Sequence, residues 1–294
     1  MATRGSPLAL WQARHVAALL GERADVEVEE VVVQTTGDRR RDVPIHAIGG
    51  QGVFVKEVQA AVLGGGADLA VHSAKDLPPR AAPGLELAAV PTRGDARDAL
   101  AGCALADLPP GALVATGSVR RRAQLAWLRP DLTFTQLRGN IETRLSRVGQ
   151  VDAVVVAAAA LERLGQLERA AEVLPVSTLL PQVAQGALAL EARADARDVL
   201  ELLRAVEDPV SRRHVDAERA FLDELGGGCD LPVGALASGA GETLTVEVLL
   251  ASPDGRVLIR RTLTGPASDP DALGRAAAAD LMEAGGASLM SAAS

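Results

Sequence analysis

The chain switches between two spacings of apolar residues, and the switches mark out its elements. Val26–Gln34 (VEVEEVVVQ) alternates and is rich in β-branched residues, which predicts a strand. Val53–Leu63 has helical spacing and runs into Gly64-Gly65-Gly66, a helix stop. Two short apolar runs follow, Asp68–His72 and Leu85–Pro91. This β-α-β-β order predicts an α/β unit with a largely parallel sheet.

At Thr92–Asp98 (TRGDARD) the pattern breaks into polar turn residues, and a second series begins. Strands are predicted at Leu113–Thr116, Leu132–Leu137 and Asp152–Ala158. Helices are predicted at Arg120–Leu128 and at Asn140–Val148, with Asn140 as N-cap. A loop-rich return, Pro175–Gln185, leads to a strand at Leu188–Glu191 and a helix at Arg197–Val206. Asp208-Pro209 marks a further boundary. Beyond it come a helix (Ser211–Leu225), a glycine run, a hairpin (Leu244–Ala251 with Arg256–Leu263) and an Ala-rich helix over Asp271–Met290. The tail is therefore a small α+β unit. No repeat of 20–50 residues is visible, and whether the two α/β series are structural duplicates stays open.

Composition narrows the chemistry. The 294 residues are 48% hydrophobic and 23% charged, which excludes a mostly disordered chain. Aromatic residues make up only 2%, so the cores are aliphatic. The net charge of −8 disfavours a nucleic-acid footprint, and any anion site must be a local cluster. Of 30 cationic residues only Lys56 and Lys75 are lysines; a coding bias explains most surface arginines. Two cysteines, Cys103 and Cys229, make neither a disulfide framework nor a four-thiolate metal site, and a reducing cytosol fits. The N-terminus does not read as a signal peptide, and Ala153–Leu161, the longest apolar run, is too short to cross a bilayer. A cytoplasmic location without membrane partners is expected. No coiled-coil or apolar repeat argues for an oligomer, so a monomer is expected.

Polar clusters fall where strands pass into helices, the junctions that line the ligand crevice of open α/β sheets. Arg4-Gly5-Ser6-Pro7 opens the first helix, where free N–H groups can hold an anion. His72-Ser73-Ala74-Lys75-Asp76 ends a strand and sets a cation beside a carboxylate suited to acid–base work. Gly117-Ser118 and then Arg120-Arg121-Arg122 open another helix, where cations oppose the helix dipole unless an anion joins them. Arg138-Gly139-Asn140, Arg144 and Arg163 add cations at the next junctions. The clustering points to a small ligand with several carboxylates or phosphates. Neither GxxxxGK[ST] nor GxGxxG is present, so a nucleotide is disfavoured. Gly226-Gly227-Gly228-Cys229 leaves room for a large group to approach the sulfur, whereas Cys103 reads as core. No Cys/His spacing suggests zinc. His15, His46 and His214 read as structural or surface residues, and His72 as a candidate supporting residue.

Seven ordered segments now resemble one family: TRGSPLALWQA (Thr3–Ala13), GGQGVFVKE (Gly49–Glu57), ADLAVHSAKDLP (Ala67–Pro78), TGSVRRRAQL (Thr116–Leu125), LRGNIETRL (Leu137–Leu145), LPQVAQGALALEAR (Leu180–Arg193) and GGGCDLPVGA (Gly226–Ala235). The chain resembles the hydroxymethylbilane synthases, also called porphobilinogen deaminases. The resemblance implies two periplasmic-binding-protein-like α/β domains plus a small C-terminal α+β domain. The expected boundaries are 1–93 with 187–207, 94–186, and 208–294. It implies a transferase that condenses four porphobilinogen molecules head to tail, releasing ammonia, to give linear hydroxymethylbilane for tetrapyrrole biosynthesis. It implies a dipyrromethane cofactor, thioether-linked to Cys229, and Asp76 as the catalytic carboxylate that steadies pyrrole N–H groups and an azafulvene cation. Arg4, Arg120, Arg121, Arg138, Arg144 and Arg163 are implied to bind carboxylates. Ser6, Ser73, Thr116, Ser118, Gly139 and Gln185 are implied as further contacts, Lys75 as a cofactor-side cation, and Phe54 as cover for the cofactor ring.

Three departures stand against the family pattern. Ala47 and Gln51 occupy places where lysines are frequent, and Thr36 replaces a frequent Arg. Little chain precedes Arg4, which predicts a weak first strand. A carboxylate-binding protein of the same two-lobed shape, or an inactive paralogue, is the alternative; neither accounts for Asp76 and Cys229 together.

Overall fold

The computed structural model describes residues 1–39, 52–227 and 231–293. β1 (Ala2–Arg4) is flanked by β2 (Val31–Val33) and β3 (Leu69–Ser73), parallel to both. α1 (Pro7–Ala24) begins at Pro7 with Ser6 as its cap, because the Ser6 hydroxyl accepts from the Ala9 N–H. A single turn, α2 (Thr36–Arg39), and α3 (Lys56–Leu63) precede β3, and β4 (Leu85–Ala89) completes the run. The chain then crosses to a second sheet. There it forms β5 (Asp98–Ala101), β6 (Leu113–Ala115), α4 (Val119–Leu128), β7 (Thr133–Thr135), α5 (Ile141–Leu145), β8 (Ala153–Ala157), α6 (Ala158–Arg163) and β9 (Glu172–Val173). It crosses back as β10 (Leu188–Arg193) and continues into α7 (Arg197–Leu203).

The two five-stranded sheets have the orders β2-β1-β3-β10-β4 and β7-β6-β8-β5-β9. In each, four strands run the same way, and the first strand after a crossing inserts antiparallel between the third and fourth of them. The two α/β series are therefore topological equivalents, each holding one antiparallel strand laid down directly after a crossing. Each sheet is largely parallel, as expected, with a single antiparallel strand.

The third sheet, β11 (Val233–Ser238), β12 (Thr243–Ala251) and β13 (Leu258–Pro266), is antiparallel. α8 (Pro209–Glu224) and α9 (Pro270–Leu281) pack on it, followed by α10 (Ala287–Ala293). One apolar cluster runs from Val90, Val183 and Ala187 of the crossings through Val215 and Phe221 of α8 to Val246 and Leu250 of β12.

Several predicted elements change extent. The strand expected over Val26–Gln34 pairs only at Val31–Val33, since β1 offers three partners, and Val26 and Val28 pack on the α1 cluster instead. The short β1 is nonetheless held on both sides, and the Met1 ammonium donates to Glu29 O at 2.8 Å. The single helix expected over Asp271–Met290 breaks at a widened turn, Met282–Gly286, where Gly285 has φ 114°. A Cβ on Gly286 would lie 2.7 Å from Leu281 O. β5, β9 and β11 were not expected: β5 follows a charged turn, β9 has two residues, and β11 (VGALAS) is built from small side chains. No helix among the described residues is long and apolar enough to cross a membrane.

Candidate active site

β3 ends at Ser73 and turns at once into a single 3₁₀ turn, Ala74–Asp76, because Leu77-Pro78-Pro79 stops a longer helix. Lys75 and Asp76 therefore project from the carboxyl end of a central strand. Gln12 Nε2 donates to the Ser73 hydroxyl at 3.0 Å, tying α1 to that strand end. His72, one residue earlier, turns the other way: its Nε2 lies 3.0 Å from Glu191 Oε2 on β10, and Gln59 donates to both oxygens of that carboxylate.

The opposite wall belongs to the second sheet. β6 is followed by Thr116, whose hydroxyl accepts from the Ser118 N–H at 3.2 Å, and Ser118 caps α4. Arg120 and Arg121 follow in the first turn and are buried. Two cations there oppose the helix dipole, and the expected compensation is an anionic ligand; the structure supplies an internal anion as well. Asp98 Oδ1 accepts from Arg121 Nε and Nη2 at 3.0 and 2.6 Å, and Asp98 Oδ2 lies 2.8 Å from Arg120 Nη2. Burial opposes the Asp98 charge, but Arg120 and Arg121 hold its carboxyl down at about 2.

After β7, Gly139 adopts φ 102°, and a Cβ there would meet Thr143 at 2.7 Å. This turn leaves Asn140 as the cap of α5 and lets Arg144 Nε donate to Gly139 O at 2.9 Å. Burial, then Arg121, lowers the Arg144 guanidinium to about 10; Arg138 and Arg4 push the same way, and Asp76 opposes them. Arg4, Arg121, Arg138 and Asp76 thus gather around Arg144 in one crevice between the lobes. Lys75 joins them: burial, then Arg121, lowers it to about 8, and its Nζ donates to Gln185 Oε1 at 3.1 Å. The Arg4 guanidinium sits 4.1 Å from the Phe54 ring centroid.

Arg163 stands apart. Its Nη2 donates to Gly186 O, and its guanidinium lies 5.8 Å from the Trp11 ring, in a groove shared with Pro7, Arg14 and His15. Burial lowers it to about 10. His15, read as structural or surface, stacks on Trp11 at 5.0 Å. Thr36, in place of a frequent Arg, donates its N–H to Glu57 at 2.8 Å. Cys103 is half-buried against the second-sheet core. His46, Ala47, Gln51 and Cys229 lie outside the described residues. Asp98 and Gln12 were not expected from sequence; the only signal for Asp98 was an acid placed directly before the apolar run Ala99–Ala101.

The description "Porphobilinogen deaminase, dipyromethane cofactor binding domain" matches residues 1–201, and "Porphobilinogen deaminase, C-terminal domain" matches residues 213–283. The chain belongs to the porphobilinogen deaminase family. Its similarity to curated porphobilinogen deaminases extends end to end. The protein of Acidothermus cellulolyticus is 47% identical, covering 99% of this chain and 91% of the relative. That of Syntrophus aciditrophicus is 46% identical, covering 98% and 96%. Immunogenic lipoprotein A of Vibrio vulnificus, a solved structure, covers 72% of this chain and 96% of its own at 11% identity and a TM-score of 0.44.

The dipyrromethane of porphobilinogen deaminases is a small apolar framework with carboxylate arms, and the residues present suit it. Beside the cation crevice lies a pocket whose polar lining includes Lys75, Ser118, Arg120 and Arg219 and whose apolar walls include Leu222, Leu231 and Val233. Leu231 is two residues beyond Cys229. Arginine forks match carboxylates in geometry as well as charge.

Proposed function

We propose that this chain is a hydroxymethylbilane synthase, joining four porphobilinogen molecules head to tail with loss of ammonia from each. The observation that carries the reading is the gathering of Arg4, Arg121, Arg138 and Lys75, with one carboxylate, Asp76, near Arg144. A substrate with an acetate and a propionate on each pyrrole needs many cations, and a reaction through a positive carbon needs one anion placed among them.

The arginines bind the carboxylates and orient each pyrrole. Asp76 accepts the pyrrole N–H hydrogen bond and faces the carbon that becomes positive as its bond to nitrogen breaks. Proton delivery to the leaving amine and removal of the pyrrole α-proton after the new carbon–carbon bond forms both fall within its reach. Bound dipyrromethane, attached through a thioether at Cys229, supplies the free pyrrole α-position to which the first substrate is joined. A thioether anchor requires a reduced thiol, which suits a cytoplasmic setting. A monomer is the expected working unit.

Intact-mass measurement with peptide mapping tests this. An adduct of two pyrrole units on Cys229, absent from Cys229→Ser, together with release of ammonia from porphobilinogen, is expected. A free Cys229 thiol that persists after incubation with porphobilinogen sinks the reading and favours a binding protein or an inactive paralogue.

A further inference from the structure

Asp98 opens β5, the first strand laid down after the chain enters the second lobe. It is fully buried, at 0% exposure. Besides the two arginines, its Oδ1 accepts from Gln185 Nε2 at 2.9 Å. Gln185 also donates to Ala96 O at 2.8 Å, so its amide has one consistent orientation, with Oε1 turned to Lys75 Nζ. A continuous relay results: Lys75 of the first lobe, Gln185 of the returning crossing, Asp98 of the second lobe, and Arg120 with Arg121 on α4.

Three cations gathered in one enclosed place repel one another strongly at low dielectric, and a single carboxylate touches two of them directly and the third through one amide. The remaining anchors are backbone carbonyls: Arg120 donates to Leu180 O at 2.7 Å and Arg121 to Val155 O at 2.9 Å. Carbonyls fix direction without cancelling charge. Both guanidiniums are thus aimed by residues behind them, and the Nε of Arg120 has no protein partner.

We propose that Asp98 is a positioning residue: one buried carboxylate that aims Arg120 and Arg121, and through Gln185 also Lys75, toward ligand carboxylates in the crevice. It holds this cation set together before the ligand arrives. The proposal rests on the reading that these cations receive carboxylates. The charged groups facing Lys75 are Arg121 and Arg144, which lower its proton affinity, and Asp76 and Asp98, which raise it. Removing the Asp98 charge therefore moves Lys75 in one direction only, downward.

The chain has only two lysines, Lys56 and Lys75, so ¹⁵N-lysine labelling gives two side-chain signals, with Lys56 as an internal control. The full chain is made in a host that lacks porphobilinogen, and Lys75 is titrated in the wild type, Asp98→Asn and Asp98→Glu. Each protein is then incubated with porphobilinogen and cofactor loading is followed by intact mass. For Asp98→Asn, the Lys75 midpoint falls below the wild-type value and the loading rate drops about tenfold or more, as for the outer-shell partner of a binding group. Asp98→Glu restores both in part. An Asp98→Asn protein that folds, loads at the wild-type rate and leaves Lys75 unmoved overturns the proposal. Slower loading with Lys75 unmoved also overturns it, because the relay through Gln185 is then absent. If Asp98→Asn does not fold, Gln185→Leu carries the test: it cuts the relay but keeps the Asp98–arginine pairs, and an unchanged Lys75 midpoint defeats the proposal. A wild type that never loads defeats the functional reading instead, while the Lys75 titration still decides the role of Asp98.

Discussion

Arg93 and Glu218 are joined by two parallel hydrogen bonds, Nη1 to Oε1 at 2.6 Å and Nη2 to Oε2 at 3.1 Å, with 8% and 0% of their side chains exposed. Arg93 belongs to the outgoing crossing and Glu218 to α8. The same carboxylate accepts the N–H of Ala184, on the returning crossing, and of Ala237, on β11. Arg93 Nε in turn donates to Gln185 O at 2.8 Å. One buried ion pair therefore binds both crossings to α8, the helix that precedes Cys229 in sequence.

Glu218→Ala removes that anion, leaves the Arg93 charge buried and orphans two backbone donors. A loss of about 3–5 kcal/mol is expected, the range for breaking a buried pair. Urea unfolding of the wild type and variant measures it; a loss below about 1 kcal/mol would show that the crossings do not depend on this contact.

Asp76→Asn keeps shape and removes charge. Turnover, read as ammonia release, should fall between about 10²- and 10⁴-fold, while the melting temperature stays near wild type. A variant with near-normal turnover removes Asp76 from the reaction.

Gly186→Ala tests the contact between the crossings. Gly186 has φ 87°, its carbonyl accepts from the Gly94 N–H at 3.1 Å, and an added Cβ would lie 2.5 Å from Gly94 O. Strain of about 1–3 kcal/mol is expected, because both the backbone angle and the approach exclude a side chain. Arg163, which donates to Gly186 O, should shift with it. Thermal unfolding and a crystal structure of the variant check this; unchanged stability contradicts the close approach.

Lys75 and Asp98 make stability depend on pH in opposite windows. Lys75 titrates near 8 in the folded chain against 10.5 as its ordinary value. Below pH 8 both states carry the proton and the penalty of holding a charged amine in the crevice is complete. Between 8 and 10.5 the unfolded chain binds more protons, so this group makes the fold more stable as pH rises. Asp98 titrates near 2 against 3.8, so its contribution is complete above 3.8 and disappears as pH falls through about 2. Urea midpoints of unloaded wild type and Lys75→Met at pH 7, 9 and 10 should converge as pH rises; parallel profiles contradict the assignment.

Much of the site is legible in the residues because it is local. Ser6, Ser118 and Asn140 cap helices by bonding to N–H groups three positions on, and each cap places its neighbouring cation at a strand end. The apolar run that marks β3 and the prolines after Asp76 fix where Lys75 and Asp76 emerge. The widened turn in the tail helix is legible afterwards in Gly285-Gly286, a pair that an Ala-rich periodicity hides. The strands β5 and β11 were missed because short runs of Ala, Gly and Leu carry no distinctive spacing.

The sequence by itself determined which side chains sit at strand ends, and hence that cations, hydroxyls and one carboxylate, Asp76, line a crevice. These follow from spacings of a few residues, which backbone geometry converts directly into faces and caps. Only the tertiary structure decided that Asp98 neutralises Arg121, 23 residues away, and that Glu218 grips Arg93 across 125 residues. It also decided that the first sheet takes its antiparallel strand, β10, from beyond the whole of the second sheet. Periodicity reports which face is buried. The partner met on that face is selected by packing and by the need of each buried charge for an opposite one, and neither is written in local spacing.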